Sequence, residues 1–292
     1  MDSIVCKFGG TSVAEAAMIR RAADIVASDP KRRFVVPSAP GKRTKDDKKI
    51  TDLLIVCHEL AEEGLHFAEP IGMIRERFKG IAAELGIDCP VDDEIDIIET
   101  RIAEGATLDY VASRGEYLNG LIVSALLEAE LVDPVEVIFF DGEGRLDEAR
   151  SFEALAGRLR GGGRYVIPGY YGADVRGNVK TFSRGGSDIT GAVVAAAVKA
   201  EVYENWTDVS GLLMADPRIV SNPKPMPVVT YRELRELSYM GANVLHDEAL
   251  FPVRRLGIPV NIRNTHEPEH PGTRIVADRP MDGPAVVGIA GK

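Results

Sequence analysis

Short apolar runs alternate with amphipathic stretches along the whole chain. Ile4–Phe8 is the first run, apolar apart from Lys7, and it predicts a buried strand. Apolar positions then recur at helical spacing over Val13–Ala27, with Asp29-Pro30 beyond to stop the helix. Phe34-Val35-Val36 predicts a second short strand, followed by a Pro-Ser-Ala-Pro-Gly loop. From residue 51 to about residue 130 the chain is rich in Glu, Leu, Ala and Ile and is expected to be mostly helical. Val135–Phe140 predicts a strand, Ser151–Arg160 a helix and Tyr165–Pro168 a strand. Val179–Phe182 predicts a strand, Asp188–Lys199 an alanine-rich helix and Glu201–Trp206 a strand. Helices over Arg232–Tyr239 and Ala242–Leu256 and a late strand over Val260–Arg263 complete the pattern. Such alternation predicts an α/β protein, with a mostly parallel sheet covered by helices on both faces.

The end of the first strand carries chemistry. Lys7-Phe8-Gly9-Gly10-Thr11-Ser12 places a lysine and two adjacent glycines ahead of hydroxyl residues that open a helical pattern. Adjacent glycines let the backbone turn sharply and approach a ligand. Thr11 or Ser12 can cap the helix, whose first N–H groups then face an anion. This is a phosphate-handling arrangement, although an ordinary βα turn with a surface lysine has the same letters. It is not a Walker loop, since no G-x-x-x-x-G-K-[ST] string occurs. Ser183-Arg184-Gly185-Gly186-Ser187-Asp188 repeats the device before the alanine-rich helix. Ligands of open α/β sheets bind at the carboxyl ends of the strands. Two glycine turns there, one with Lys7 and one with Arg184, can hold a phosphoryl group between them.

Composition narrows the class. The 292 residues allow one large α/β domain or about two average ones. The formal net charge of −10 argues against a nucleic-acid surface but not against a local basic site for an anion. Cys6, Cys57 and Cys89 form no metal pattern or disulfide framework, and reduced thiols in a cytoplasmic protein are expected. The start lacks a signal peptide, and no apolar run approaches the ~20 residues of a membrane helix. His266-Glu267-Pro268-Glu269-His270 has the letters of a zinc motif, but Pro268 rules out the helix that motif needs. Lys42–Lys49 is a charge run, expected as a solvated loop that a nearby phosphate site could use as a lid.

Further strings extend the pattern. They are Ser38-Ala39-Pro40-Gly41, Thr51-Asp52-Leu53-Leu54, Arg114-Gly115-Glu116, Trp206-Thr207-Asp208-Val209, Asp216-Pro217-Arg218 and Gly241-Ala242-Asn243-Val244-Leu245-His246. Together with the two glycine turns, in this order, they resemble the catalytic domain of the aspartokinases, in the amino-acid kinase superfamily. The resemblance spans nearly the whole chain. It implies one α/β/α sandwich with a mostly parallel central sheet, residues 1–180 binding substrate and 181–292 binding ATP, and no ACT regulatory domain in this chain.

The resemblance also implies roles. Lys7 would stabilise charge on the transferring phosphoryl group, with Asp188 orienting it. Gly9, Gly10, Thr11 and Ser38 would surround the phosphate. Thr51, Glu116, Arg184, Gly185 and Ser187 would contact the amino acid, Glu116 at its ammonium and Arg184 at its α-carboxylate. Thr207, Asp208, Leu213, Asp216, Arg218 and Asn243 would line the nucleotide site. Many relatives have tyrosine where Leu213 stands and lysine where Asn243 stands. The implied reaction is ATP-dependent phosphorylation of L-aspartate, with Mg²⁺ arriving on the nucleotide. L-Aspartate and ATP are then the partners, with no nucleic acid or membrane, and a homodimer is admitted. A carboxylate nucleophile is ionised at neutral pH and needs no general base, which fits the lack of a Ser-His-Asp or Cys-His arrangement. Another amino-acid kinase and a silent ligand-binding relative are the alternatives.

Overall fold

The computed structural model describes residues 2–183, 185–239, 247–279 and 288–289. Strand β1 (Ile4–Phe8) leads through a 3₁₀ turn at Gly10–Val13 into α1 (Ala16–Ala27) and back to β2 (Arg32–Pro37). Four helices follow: α2 (Ile50–Glu62), α3 (Ala68–Leu85), α4 (Val91–Ala103) and α5 (Leu108–Leu127). Next come β3 (Glu130–Leu131), α6 (Glu148–Arg158), β4 (Tyr165–Val166), β5 (Tyr171–Ala173), β6 (Val179–Thr181), α7 (Gly186–Val198) and β7 (Val202–Thr207). The remaining elements are β8 (Leu212–Leu213), β9 (Pro225–Met226), β10 (Val228–Thr230), α8 (Tyr231–Tyr239), a 3₁₀ turn at Asp247–Leu250, α9 (Phe251–Arg255), β11 (Val260–Asn264) and β12 (Thr273–Val276).

Eight strands form the main sheet in the order β10-β12-β11-β7-β1-β2-β4-β3. All neighbours are parallel except the β11–β12 pair. Side chains alternate across this sheet. Ile4, Cys6, Phe8, Val35, Val166 and Trp206 pack with α1–α5 on one face. Val5, Phe34, Val36, Tyr165, Ile167, Tyr203, Val260 and Ile262 pack with α6–α9 on the other. Strands buried on both faces are mostly apolar, and so β1, apart from Lys7, and Phe34-Val35-Val36 of β2 read as continuous runs. By the same alternation Lys7 shares the face of Val5 and points toward α7. Gly191 lets α7 lie close on β7, because a Cβ there would sit 2.6 Å from the Tyr203 hydroxyl.

Several expected elements differ. Val135–Phe140 is not a strand: Pro134 opens a 3₁₀ turn at Pro134–Glu136, capped by the Asp133 side chain on the Val135 N–H. Phe139 and Phe140 make only isolated bridges. The strand before the second glycine turn is present but lies outside the main sheet. It pairs antiparallel with β5 as a hairpin, closed by the Asp174–Gly177 turn. The first helix is split, since the diglycine favours a tight turn before α1 begins. Of the helix expected over Ala242–Leu256, residues 242–246 lie outside the described residues, and the rest is the Asp247–Leu250 turn and α9.

Candidate active site

The ends of β1, β2, β4 and β7 converge on the N-terminus of α7. The Gly9 N–H donates to the Trp206 carbonyl (3.0 Å), and the Ser38 N–H donates to that of Phe8 (3.0 Å). Gly10 and Gly41 touch backbone to backbone: a Cβ on Gly41 would lie 2.7 Å from the Gly10 carbonyl carbon. Beyond β4, the Gly169 N–H donates to Pro37 (3.0 Å), and a Cβ on Gly169 would lie 2.5 Å from Ser187 Oγ. These glycines are needed for close approach, since no side chain fits between the loops. The capping expected of Thr11 or Ser12 does not occur. Thr11 is exposed, and Ser12 accepts a hydrogen bond from Thr265 Oγ1 (2.7 Å), tying the turn to the segment after β11.

Lys7 Nζ lies 2.6 Å from Asp188 Oδ1, with both side chains mostly buried. Asp188 stands in the first turn of α7, where a negative charge is favoured by the helix dipole. Its Oδ1 also accepts from Asn205 Nδ2 (2.9 Å), and its backbone carbonyl accepts from the Tyr203 hydroxyl (3.2 Å). A Cβ on Gly9 would come 3.6 Å from Lys7 Nζ, so the ammonium stands over the diglycine turn. Gly185 caps α7 in the left-handed conformation (φ 57°), which suits glycine.

Glu116 on α5 is buried, and its Oε2 has no hydrogen-bond partner. Burial pushes its carboxyl up to about 8, against the opposing pull of the Ala39 N–H, Arg114 and Lys7. Neighbouring Gly115 packs against Ala39 and Ile50, which brings Thr51, in the first turn of α2, to the same wall. Asn119, one turn further on α5, donates to the Ser38 carbonyl (2.7 Å). Thus Lys7, Gly9, Gly10, Ser38, Thr51, Glu116, Ser187 and Asp188 gather at one end of the sheet. Arg184 and Asn243, together with the rest of the Gly241–His246 string, lie outside the described residues.

Thr207 ends β7, and its hydroxyl donates to Asp208 (3.2 Å). Leu213 is exposed on β8. Asp216 and Arg218 pair with each other at 2.6 Å at the surface, and Arg218 holds the Asp216 carboxyl at about 2. The charge-run loop is exposed over most of its length but tethered. Asp47 pairs with Arg43 and with buried Arg77 (2.7 Å), which also donates to the carbonyls of Ala14 and Gly41. The zinc-like string follows β11 outside any helix, and no group of three or more metal-ligating side chains occurs among the described residues.

Sequence reasoning missed Asn205, Asn119, Arg77 and a buried group around Glu204. Glu204 pairs with Arg32 (2.8 Å) and Arg263 (3.0 Å) and accepts from the Trp206 indole (3.0 Å). Arg263 also lies over the indole ring at 4.6 Å. This fixes Trp206, whose carbonyl holds Gly9. The available signal was Glu204-Asn205, two polar residues inside a strand expected to be buried, since such residues are rarely buried without partners.

The chain belongs to the amino acid kinase family, whose model matches residues 2–264. Within it the most similar relatives found are aspartokinases. Aspartokinase 3 of Bacillus subtilis is 40% identical over 300 residues, 98% of this chain and 66% of that protein. The crystal structure of Clostridium acetobutylicum aspartate kinase superposes with a TM-score of 0.94 at 48% identity, covering 99% of this chain and 66% of that one. E. coli aspartokinase III, solved in complex with aspartate and ADP, gives a TM-score of 0.83 at 31% identity, over 96% and 66% of the two chains. The chain therefore spans just under two thirds of the length of these relatives. The likeness bears out the expected three-layer α/β architecture.

Proposed function

We propose that this chain is the catalytic part of an aspartate kinase, transferring the γ-phosphoryl group of ATP to the β-carboxylate of L-aspartate. The observation that carries the reading is the pairing of Lys7 with Asp188 over the diglycine turn, on the same wall as buried Glu116, whose Oε2 has no hydrogen-bond partner. The names of the similar proteins support it, as does the aspartate and ADP held by the E. coli relative.

In this reading Glu116 receives the substrate ammonium and Arg184 its α-carboxylate. The β-carboxylate oxygen forms a bond to the γ-phosphorus while the bond to the ADP oxygen breaks, and no proton need move. Lys7 and the N–H groups of the glycine turn beyond Gly9, whose own N–H is taken by the Trp206 carbonyl, neutralise the charge that builds on the phosphoryl oxygens. Thr207, Asp208, Leu213, Asp216, Arg218 and Asn243 line the nucleotide site, with residues 1–180 as the substrate lobe of a single kinase domain. Mg²⁺ suits this donor set as a companion of the nucleotide, since it is usually held by one or two carboxylates plus phosphate oxygens; bound there it would offset phosphate charge. In this reading the product is 4-phospho-L-aspartate, and the protein acts in the cytoplasm at the entry to lysine, threonine and methionine synthesis.

The test is to incubate the protein with ATP, Mg²⁺ and single amino acids and trap any acyl phosphate with hydroxylamine. Hydroxamate formed with aspartate alone supports the reading. Formation with glutamate or an N-acetylated amino acid moves the protein to another amino-acid kinase, and none with any acceptor overturns the activity.

A further inference from the structure

Asn205 has no role in the reading so far, yet its position is specific. β1 and β7 are parallel neighbours, and Lys7 stands directly opposite Asn205 in their register. Residues opposite each other on adjacent strands project from the same face. Both therefore point at the N-terminus of α7, where they share one atom: Asp188 Oδ1 lies 2.6 Å from Lys7 Nζ and 2.9 Å from Asn205 Nδ2. Asn205 is 3% exposed, in a strand whose same-face neighbour Tyr203 is fully buried. An amide at such a place is costly unless its hydrogen bond matters, because an apolar residue fits the surroundings.

Resting on the phosphotransfer reading above, we propose that Asn205 is a positioning residue that sets the reach of the Lys7 ammonium by holding the Asp188 carboxylate. Asp188 alone, on one flexible χ1–χ2 arm, could swing and draw Lys7 down against α7. The Asn205 amide pins Oδ1 from the sheet side, and the Tyr203 hydroxyl pins the Asp188 backbone from beneath (3.2 Å). The amide also takes up part of the charge on Oδ1, weakening the hold on Lys7. The ammonium then keeps donors free for the phosphoryl group as negative charge builds there. Preorganisation of this kind acts on the transition state more than on ground-state binding.

The experiment compares wild type, Asn205→Leu, Asp188→Asn and the double variant in the hydroxamate assay, with thermal melts to establish folding. Asn205→Leu keeps the fork at Cγ, in a bulkier form, and loses the donor. It should lower kcat about 10-fold, equivalent to about 1.4 kcal/mol, while the KM values for aspartate and ATP stay within about 2-fold. The double variant should be no slower than Asp188→Asn, because Asn205 acts only through that carboxylate. Asn205→Ser, which retains a donor, should recover part of the loss and serves as the test if the leucine variant does not fold. Multiplicative losses in the double variant, or a raised KM at unchanged kcat, overturn the proposal. A wild type inactive with aspartate overturns the reading beneath it instead. In that case the Lys7 side-chain ¹⁵N resonance decides the positioning claim alone: it should shift in Asn205→Leu, and an unmoved resonance refutes it.

Discussion

On the proposed reading, Glu116 makes substrate binding depend on pH in a direction that its burial sets. Its carboxyl is buried, lacks a partner at Oε2 and is pushed up to about 8 by the loss of water. With that value about one site in ten is ionised at pH 7 and about one in a hundred at pH 6. A substrate ammonium pairs with the ionised form. The apparent KM for aspartate should therefore fall about 50-fold between pH 6 and pH 8 and level off above. Calorimetry at pH 7 in two buffers of different ionisation enthalpy should show release of about 0.9 proton on binding. Glu116→Gln cannot ionise. Its KM should lose this slope and lie about 100-fold above wild type at pH 8, the order expected for breaking a buried ion pair.

Stability runs the other way. The folded value lies above the ordinary 4.5, so between these pH values the folded chain holds a proton that the unfolded chain has released. This contribution is full below pH 4.5 and is lost as the pH rises through about 8. The total is about 5 kcal/mol, at about 1.4 kcal/mol per pH unit. The melting temperature of Glu116→Gln should gain on wild type as the pH is raised from 5 to about 8.5. A wild-type KM that stays flat from pH 6 to 8 would refute the placing of the ammonium at Glu116.

Lys7→Met should lower kcat about 10²–10³-fold with KM values little changed, the effect of removing one preorganised stabiliser; steady-state kinetics at saturating ATP reads this. Gly41→Ala forces a Cβ to within 2.7 Å of the Gly10 backbone, so it should lower both the melting temperature and kcat, whereas Gly72→Ala, with open space around its Cβ, should do neither. Arg77→Met removes the donor for the Ala14 and Gly41 carbonyls and cuts the tie of Asp47 to α3, leaving it with Arg43 of its own loop, at a cost of about 3 kcal/mol by chemical denaturation. Its charge-run loop should become sensitive to trypsin at Lys45, Lys48 and Lys49, and unchanged cleavage would refute the tether.

Local pattern carried much of this protein. The run at Ile4–Phe8, apolar apart from Lys7, reads as a strand buried on both faces, and the alternation Val260-Asn261-Ile262-Arg263 reads as a strand with one face fully buried. The diglycine after Lys7 had to be a turn, and a lysine between buried apolar residues had to meet a partner. Together with the ordered strings that resemble the aspartokinases, these features were enough to indicate the family and the residues around Lys7.

Other features depended on neighbours distant in sequence. Val135–Phe140 has the composition of a strand, but Pro134 and the Asp133 cap fold its start into a 3₁₀ turn. β6 has the letters of a sheet strand, but the short Asp174–Gly177 turn returns it to β5. Arg77 lies 36 residues from Gly41 and 63 from Ala14, and nothing local announces that one guanidinium fastens both. Asn205 is 198 residues from Lys7. Only the parallel register of β1 and β7 sets them side by side beneath Asp188, because strand pairing is decided by which buried faces meet and not by either strand alone. The sequence by itself determined the strands, the glycine turns and the charges available. The tertiary structure decided which charges face one another, and how much water each one loses.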